Sequence, residues 1–331
     1  MNTTGFLKYA GALIVVAICS ACSGALRPAQ GDMPVAPSNA ALNNELTTAA
    51  RPNRSAVPLY QTLVPDRHTR AKFFEYVINF YGTYASIFDY PKSDKEIGTI
   101  QGGVGGQGCT NVLYGYGKKT FWIVAGQTQI QEYKVEKKLI KTLSTTAGMP
   151  SSCAMNGSGD LAVGILSNGD IAIYKNASGS GTVMTTPLAA EWFDGYDTHG
   201  NLFFDGYSRS GYFQLDELPN GSSKIQTIST SNSPQVPGSV QWDGKYLTVG
   251  DQGTNEIYRY TISGAKATLK GTVRLSGAGD CGQTWIATGV VFCGDAGTDG
   301  GEVFNYPAGG SPAAVFTGNF DTPLGMVAAE R

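Results

Sequence analysis

Histidine is nearly missing from this chain: only His68 and His199 occur among 331 residues. That weakens every mechanism built on a pair of imidazoles. Charge is sparse as well. Charged residues make up 15% of the chain, against about 25% in a typical globular protein. The 24 basic and 26 acidic side chains leave a net charge of −2. A nucleic-acid-binding domain should show a basic stripe, so no nucleic-acid partner is expected. No Gly-x-Ser-x-Gly elbow, phosphate-binding loop or His-Glu-x-x-His occurs. Beyond residue 22 there is no Cys-x-x-Cys or Cys/His spacing of a zinc site. No helical apolar period is found beyond about residue 72. What is plentiful is glycine, with 44 residues, and aromatics, at 11%. A Gly-rich, Tyr-rich, charge-poor chain suits many short strands joined by tight turns.

Residues 1–22 begin with a short polar stretch carrying Lys8 and continue into an apolar run over 10–18. That run is too short to span a bilayer, which takes about 20 residues. Small residues then precede a cysteine, the pattern of a secretory signal peptide. The stretch Cys19, Ser20, Ala21, Cys22 resembles the lipobox of bacterial lipoproteins. The resemblance implies that Cys22 is acylated and becomes the mature N-terminus. It also implies a lipid bilayer as partner through that anchor. Cys19 stands where Leu or Val is usual. An ordinary cleaved signal and an uncleaved anchor are the alternatives. Ser23 follows in place of Asp, which by the family's sorting rule favours the outer over the inner membrane. Residues 23–70 are rich in Pro, Ala, Asn and Ser without an apolar period, and read as a flexible tether.

From residue 71 to 331 strand-like runs alternate with Gly, Asn and Asp turns. Five full units can be traced, beginning near Cys109, Cys153, Trp192, Ser239 and Cys281. The first unit is expected to open with a strand over 109–116. Cys109 and Cys153 lie 44 residues apart, the length of one four-stranded propeller blade of roughly 40–50 residues. Two fragments remain: three strands over 72–100 and one over 324–329. Joined, they complete a sixth blade and remove the open edge between the chain's two ends. The expected fold is therefore all-β, a six-bladed β-propeller of four-stranded blades, closed by the C-terminal strand. The segments YLTVGD (246–251) with EIYRY (256–260), and GDLAVG (159–164) with GDIAIY (169–174), resemble NHL-type propeller repeats. That resemblance covers roughly residues 72–331 and implies fold, with little about activity.

Four cysteines remain after the lipid site, and an even number in an exported chain suggests disulfides. Cys281 and Cys293 should face each other across a hairpin. Cys109 and Cys153 should tie one blade to the next, with Cys153–Cys281 as the alternative. Among candidate functional residues, Asp205, Asp251 and Asp295 follow second strands and precede Gly-rich turns. They are expected to cap backbone N–H groups there rather than bind metal. Asp295 and Asp299 sit in a stretch faintly like a calcium loop, but the ligand series is incomplete. His199 is expected in a solvated turn. Trp122, Trp192, Trp242 and Trp285 are expected as inter-blade core. The loop 205–211 stands apart, because Tyr207 and Arg209 combine contact area with hydrogen bonding and are enriched at binding hot spots.

No cofactor and no metal site are expected. The reading is a monomeric, membrane-tethered, exported module of the cell envelope that binds or scaffolds a protein or glycan partner without catalysis. The alternative is an exported propeller enzyme of lyase or lactonase type, with a divalent metal in the central channel.

Overall fold

In the computed structural model, the described residues are 73–80, 83–102, 104–110, 120–125, 128–135, 138–287 and 289–330. Numbered along the chain, β1 (Phe73–Asn79), β2 (Tyr84–Tyr90) and β3 (Ser93–Gln101) come first. A second meander follows with β4 (Val104–Cys109), β5 (Thr120–Ala125), β6 (Gln129–Lys134) and β7 (Lys138–Ser144). The third holds β8 (Pro150–Met155), β9 (Leu161–Ile165), β10 (Ile171–Tyr174) and β11 (Thr182–Met184). The fourth holds β12 (Leu188–Tyr196), β13 (Leu202–Ser208), β14 (Phe213–Leu218) and β15 (Gln226–Thr230). The fifth holds β16 (Pro237–Trp242), β17 (Leu247–Asp251), β18 (Glu256–Ser263) and β19 (Lys266–Arg274). Then come β20 (Cys281–Ala287), β21 (Val290–Asp295), β22 (Gly300–Asn305) and β23 (Ala314–Phe316), and last β24 (Pro323–Glu330).

These strands form four four-stranded sheets and one eight-stranded sheet. The eight-stranded sheet is two antiparallel meanders, β12–β15 and β16–β19. They join through two parallel pairs between outer strands, Ser229 with Lys266 and Thr230 with Ala267. The first strands of the meanders neighbour one another in the order β4, β8, β12, β16, β20, β24, and β24 lies against β4 again. This radial array of small sheets around a shared axis is a β-propeller. The C-terminal strand β24 pairs antiparallel with β1, Val327 opposite Tyr76 and Ala329 opposite Phe74. Both ends of the described chain thus share one sheet, and β24 covers the inner edge that β1 would otherwise leave open.

The core lies between adjacent sheets. Tyr76 of β1 stacks on Phe121 of β5, with centroids 3.8 Å apart, while Phe73 meets Phe292 of β21 edge-on at 5.9 Å. Alternation along β1 sends odd and even side chains to different neighbours, so a strand buried on both faces reads as nearly continuous apolar sequence.

Each first strand carries a register shift in its first half. Opposite or beside the bulge, the second strand carries Gly164, Gly206, Gly250 or Gly294. Bulges bend a strand and raise its twist, which lets it turn into the channel. At Gly164 a Cβ would fall 1.6 Å from Glu191 Oε2 of the next sheet, so a side chain there requires the buried Glu191 carboxyl to move.

One expectation about the first full unit is corrected. Its first strand is β4, ending at Cys109, rather than a strand over 109–116; residues 111–119 lie outside the described set. The sequence VGGQG (104–108) has low strand propensity. Packing decides instead: a Cβ on Gly108 would sit 2.6 Å from Val327 and 2.9 Å from Ile78. Glycine lets the inner strand approach β24 and β1 closely.

Candidate functional site

The first strands line the central channel, and side-chain amides knit them together across it. Gln283 donates from Nε2 to the Gly108 carbonyl at 2.7 Å, while its Oε1 accepts the Gly108 and Met326 N–H groups, each at 2.9 Å. Gln241 makes the same two-point contact with Ile286, at 2.9 and 2.8 Å. Gln107 donates to the Trp192 carbonyl at 2.7 Å, and Ser239 Oγ accepts the Thr284 N–H at 2.5 Å. All four side chains are buried. The bulges leave inner-strand backbone groups without ladder partners, and these amides satisfy them.

A cavity of about 40 Å³ lies at the end of the channel toward which the inner strands run, room for two or three waters by volume. Its wall includes Phe193, Asp194, Tyr196, Trp242 and Trp285, and contains no Lys, Arg or His. Asp194 is 7% exposed, and neither of its oxygens meets a donor at hydrogen-bond distance and angle.

Behind Asp194 are two more buried acids. Glu191 accepts the hydroxyls of Ser151 at 2.5 Å and Ser152 at 2.8 Å, both from β8 of the neighbouring sheet. Burial pushes the Glu191 carboxyl up to about 8, with the two serines pulling it back in part. Asp205 accepts the Gly238 N–H of β16 at 3.3 Å through one oxygen, and its other oxygen is unpartnered. Burial, and then the neighbouring Glu191 charge, raise Asp194 and Asp205 well above the usual carboxylate range; Ser152 tempers the shift at Asp194. Like charges this close in a dry site favour proton uptake.

Asp251 and Asp295 cap loops. Asp295 accepts N–H groups from Gly279, Asp280, Gly297 and Thr298 at 2.7–3.0 Å. Asp251 does the same for Gln235, Val236 and Gly253. Asp205 departs from that expectation. It lies inside β13, paired with Phe193, at the place Val163, Val249 and Cys293 take in β9, β17 and β21. Its glycine follows it, whereas Gly250 and Gly294 precede theirs, so the acid sits two positions earlier and is fully buried.

The disulfides Cys109–Cys153 and Cys281–Cys293 are formed. The first links β4 to β8 between neighbouring sheets; the second spans the β20–β21 hairpin. Cys281, Cys293 and Asp295 are the single three-residue group of metal-type donors that converges among the described residues. Two of them are spent in the disulfide and the third on four N–H groups. His199 lies in a turn whose N–H is capped by Asp197 at 2.8 Å. Trp122, Trp192 and Trp285 are buried and Trp242 is half-buried. Tyr207 belongs to β13 rather than a loop, and its ring meets Trp192 edge-on at 5.8 Å. Arg209 is exposed in the following turn, on the face opposite the cavity. Cys22, the signal-like residues 1–22, the tether 23–70 and His68 lie outside the described residues. Glu191 and Asp194 were not singled out from the sequence; their signal is two acids, three apart, in a first strand where the units of β8, β16 and β20 place Ala154, Gln241 and Trp285 at the position of Asp194.

No family model matches the chain, and no curated protein matches it in sequence. Solved structures match in fold. A chain of a nidogen/laminin complex superposes with a TM-score of 0.63 at 12% identity, covering 78% of this chain and 98% of that one. A protein of unknown function from Bacteroides caccae gives 0.59 at 9% identity, covering 78% and 99%. A functionally unknown protein from Desulfotomaculum acetoxidans gives 0.51 at 12% identity, covering 77% and 98%. These likenesses establish the β-propeller fold.

Proposed function

We propose that this chain is an exported, membrane-tethered β-propeller that binds or scaffolds a partner in the cell envelope without catalysis. On this reading the eight-stranded sheet counts as two blades, because only two residue pairs join its halves. The ring then has six blades of the NHL type, the last completed by β24. The lipobox-like stretch ending at Cys22 supplies the anchor, and residues 23–70 the reach. The two disulfides suit an oxidising compartment.

The observation that carries the non-catalytic reading is the amide network of Gln107, Gln241 and Gln283. It lines the channel, where propeller chemistry of lyase or lactonase type would gather its ligands, and commits those polar groups to backbone. Partner contact then falls to the faces. We assign the face bearing Arg209, with Tyr207 held against Trp192 beneath it, as the partner side.

The test has two parts. Cys22→Ser should abolish incorporation of a fatty-acid label and release the protein from membranes; retention at unchanged mass would contradict the tether. In cells, a photocrosslinker at position 209 should trap a discrete envelope product. No product there, with one trapped from the opposite face, would reassign the partner side.

A further inference from the structure

Exposed cations are divided unevenly between the two faces of the ring. On the cavity face, Lys134 ends β6, Lys138 opens β7, Lys175 follows β10, Lys224 precedes β15, Lys245 lies in the β16–β17 turn and Lys266 opens β19. All of these are exposed. Lys92 and Lys95 continue the series around the β2–β3 turn. Lys92 and Lys175 reach the carboxylates of buried Asp89 and Asp160, at 3.9 and 2.8 Å, yet both lysine side chains remain 78% exposed. Among the described side chains on this face, Asp94 is the one exposed acid.

The opposite face is balanced. Its exposed bases among the described residues are Arg209 and Arg274, and Glu256 holds Arg274 at 2.8 Å. Asp299 and Asp321 are exposed there, with Asp170 half-buried. Lys270, in the middle of β19, belongs to neither face. A chain with a net charge of −2 thus carries one strongly cationic face.

Apolar side chains sit among these ammonium groups: Leu139 and Ile140, next to Lys138, are 48% and 50% exposed. The described chain also begins on this side. Phe73 pairs with Glu330 at the end of β24, so the preceding residues join the propeller at its cationic face.

From this we infer that the cavity face lies on an anionic lipid bilayer, its lysines meeting headgroup phosphates while Leu139 and Ile140 enter the interface. The inference rests on the tethered reading for the nearness of a membrane, and adds which way the propeller faces. The face bearing Arg209 then points away from the bilayer, toward the partner. Such a contact combines apolar burial with attraction to anionic headgroups. Each lysine near an anionic surface strengthens binding roughly fivefold, within about a Debye length. A soluble acidic protein would also attract the lysines, but it would have to share the face with the incoming chain.

The test uses the full chain carrying Cys22→Ser, so that no acyl group contributes, and vesicles of phosphatidylcholine alone or mixed with phosphatidylglycerol. At low salt, cosedimentation with the mixed vesicles should exceed that with neutral ones by about tenfold or more, and high salt should erase the excess. Joint replacement by Lys134→Glu, Lys138→Glu, Lys224→Glu and Lys245→Glu should remove most of the excess and leave the neutral-vesicle value unchanged. Arg209→Glu, on the opposite face, should change neither. A fluorophore attached through Ser223→Cys should be quenched by a headgroup-borne quencher in mixed vesicles, while one attached through Ser210→Cys should not. That comparison needs no charge reversal and decides the matter if the fourfold variant fails to fold. An excess that survives the charge reversal, or quenching at position 210 in place of 223, would overturn the orientation. Tighter capture by soluble polyglutamate than by the mixed vesicles would overturn the lipid in favour of an acidic protein. Absence of acylation at Cys22 in cells, with the mixed-vesicle excess intact, would sink the tether alone, so the two readings fail separately.

Discussion

Gln283 and Gly108 lie 175 residues apart in sequence and are joined by two hydrogen bonds, amide to backbone in both directions. The contact stitches β20 to β4 over β24, and it accounts for how glycine-rich inner strands stay ordered without a full ladder. Replacing Gln283 by Leu strands the N–H and carbonyl of Gly108 and the N–H of Met326. With about 1–3 kcal/mol per buried unpaired group, a loss of roughly 3 kcal/mol or more is expected in urea unfolding. A variant within 1 kcal/mol of wild type would show that water satisfies these groups.

Stability should depend on pH with an unusual sign. Glu191 is raised to about 8, Asp280 to about 7 and Asp216 to about 6, each mainly by burial. Between the unfolded and folded values the native state holds protons that the unfolded chain has lost. These groups therefore contribute fully below about pH 4, and their contribution is lost as pH rises through the folded values. Stability is expected to fall from pH 5 to 8. Glu191→Gln should flatten the slope by about 1 kcal/mol per pH unit. A wild-type curve that is flat or rising over this range would count against the buried acids.

The two disulfides should differ in worth. Cys109–Cys153 closes a separation of 44 residues and Cys281–Cys293 one of 12. A native disulfide contributes about 2–4 kcal/mol, and the chain-entropy account assigns about 1 kcal/mol more to the longer loop. Double serine variants, compared by denaturant midpoint, should rank in that order. The reverse order would mean that strain or packing dominates.

Gly164 carries a steric demand that can be read directly. A methyl group there meets Glu191 Oε2 at 1.6 Å and Ser152 Oγ at 2.5 Å. Gly164→Ala is expected to cost about 3 kcal/mol or more. Gly271→Ala in β19, where no atom lies within 4 Å of the new methyl, should stay within about 1 kcal/mol. Equal effects at the two sites would refute the close approach.

Much of the architecture was legible because it is written in spacing. The three strands before residue 102 lack a first strand, and the run at 324–329 lacks a blade, so their pairing follows by elimination. The cysteine positions likewise point to their partners once the repeat is aligned. β4 was not legible, since VGGQG reads as a turn until Val327 and Ile78 are seen pressing on Gly108. The acids Glu191, Asp194 and Asp205 escaped for a different reason. A bulge at Trp192 breaks the two-residue alternation, and Asp205 next to glycine looks like the capping pairs at 250–251 and 294–295. Tyr207, read as a loop residue, belongs to β13 because that strand runs on through Ser208.

Ring closure by β24 is the claim on which the rest depends, and native-state hydrogen exchange tests it most directly. Met326, Val327, Ala328 and Ala329 are buried, and the strand pairs with β1 along its length. Their amides are expected to exchange only through global unfolding, with the same free energy as those of β5 and β13. Rapid exchange across 325–329 while β5 and β13 stay protected would contradict closure.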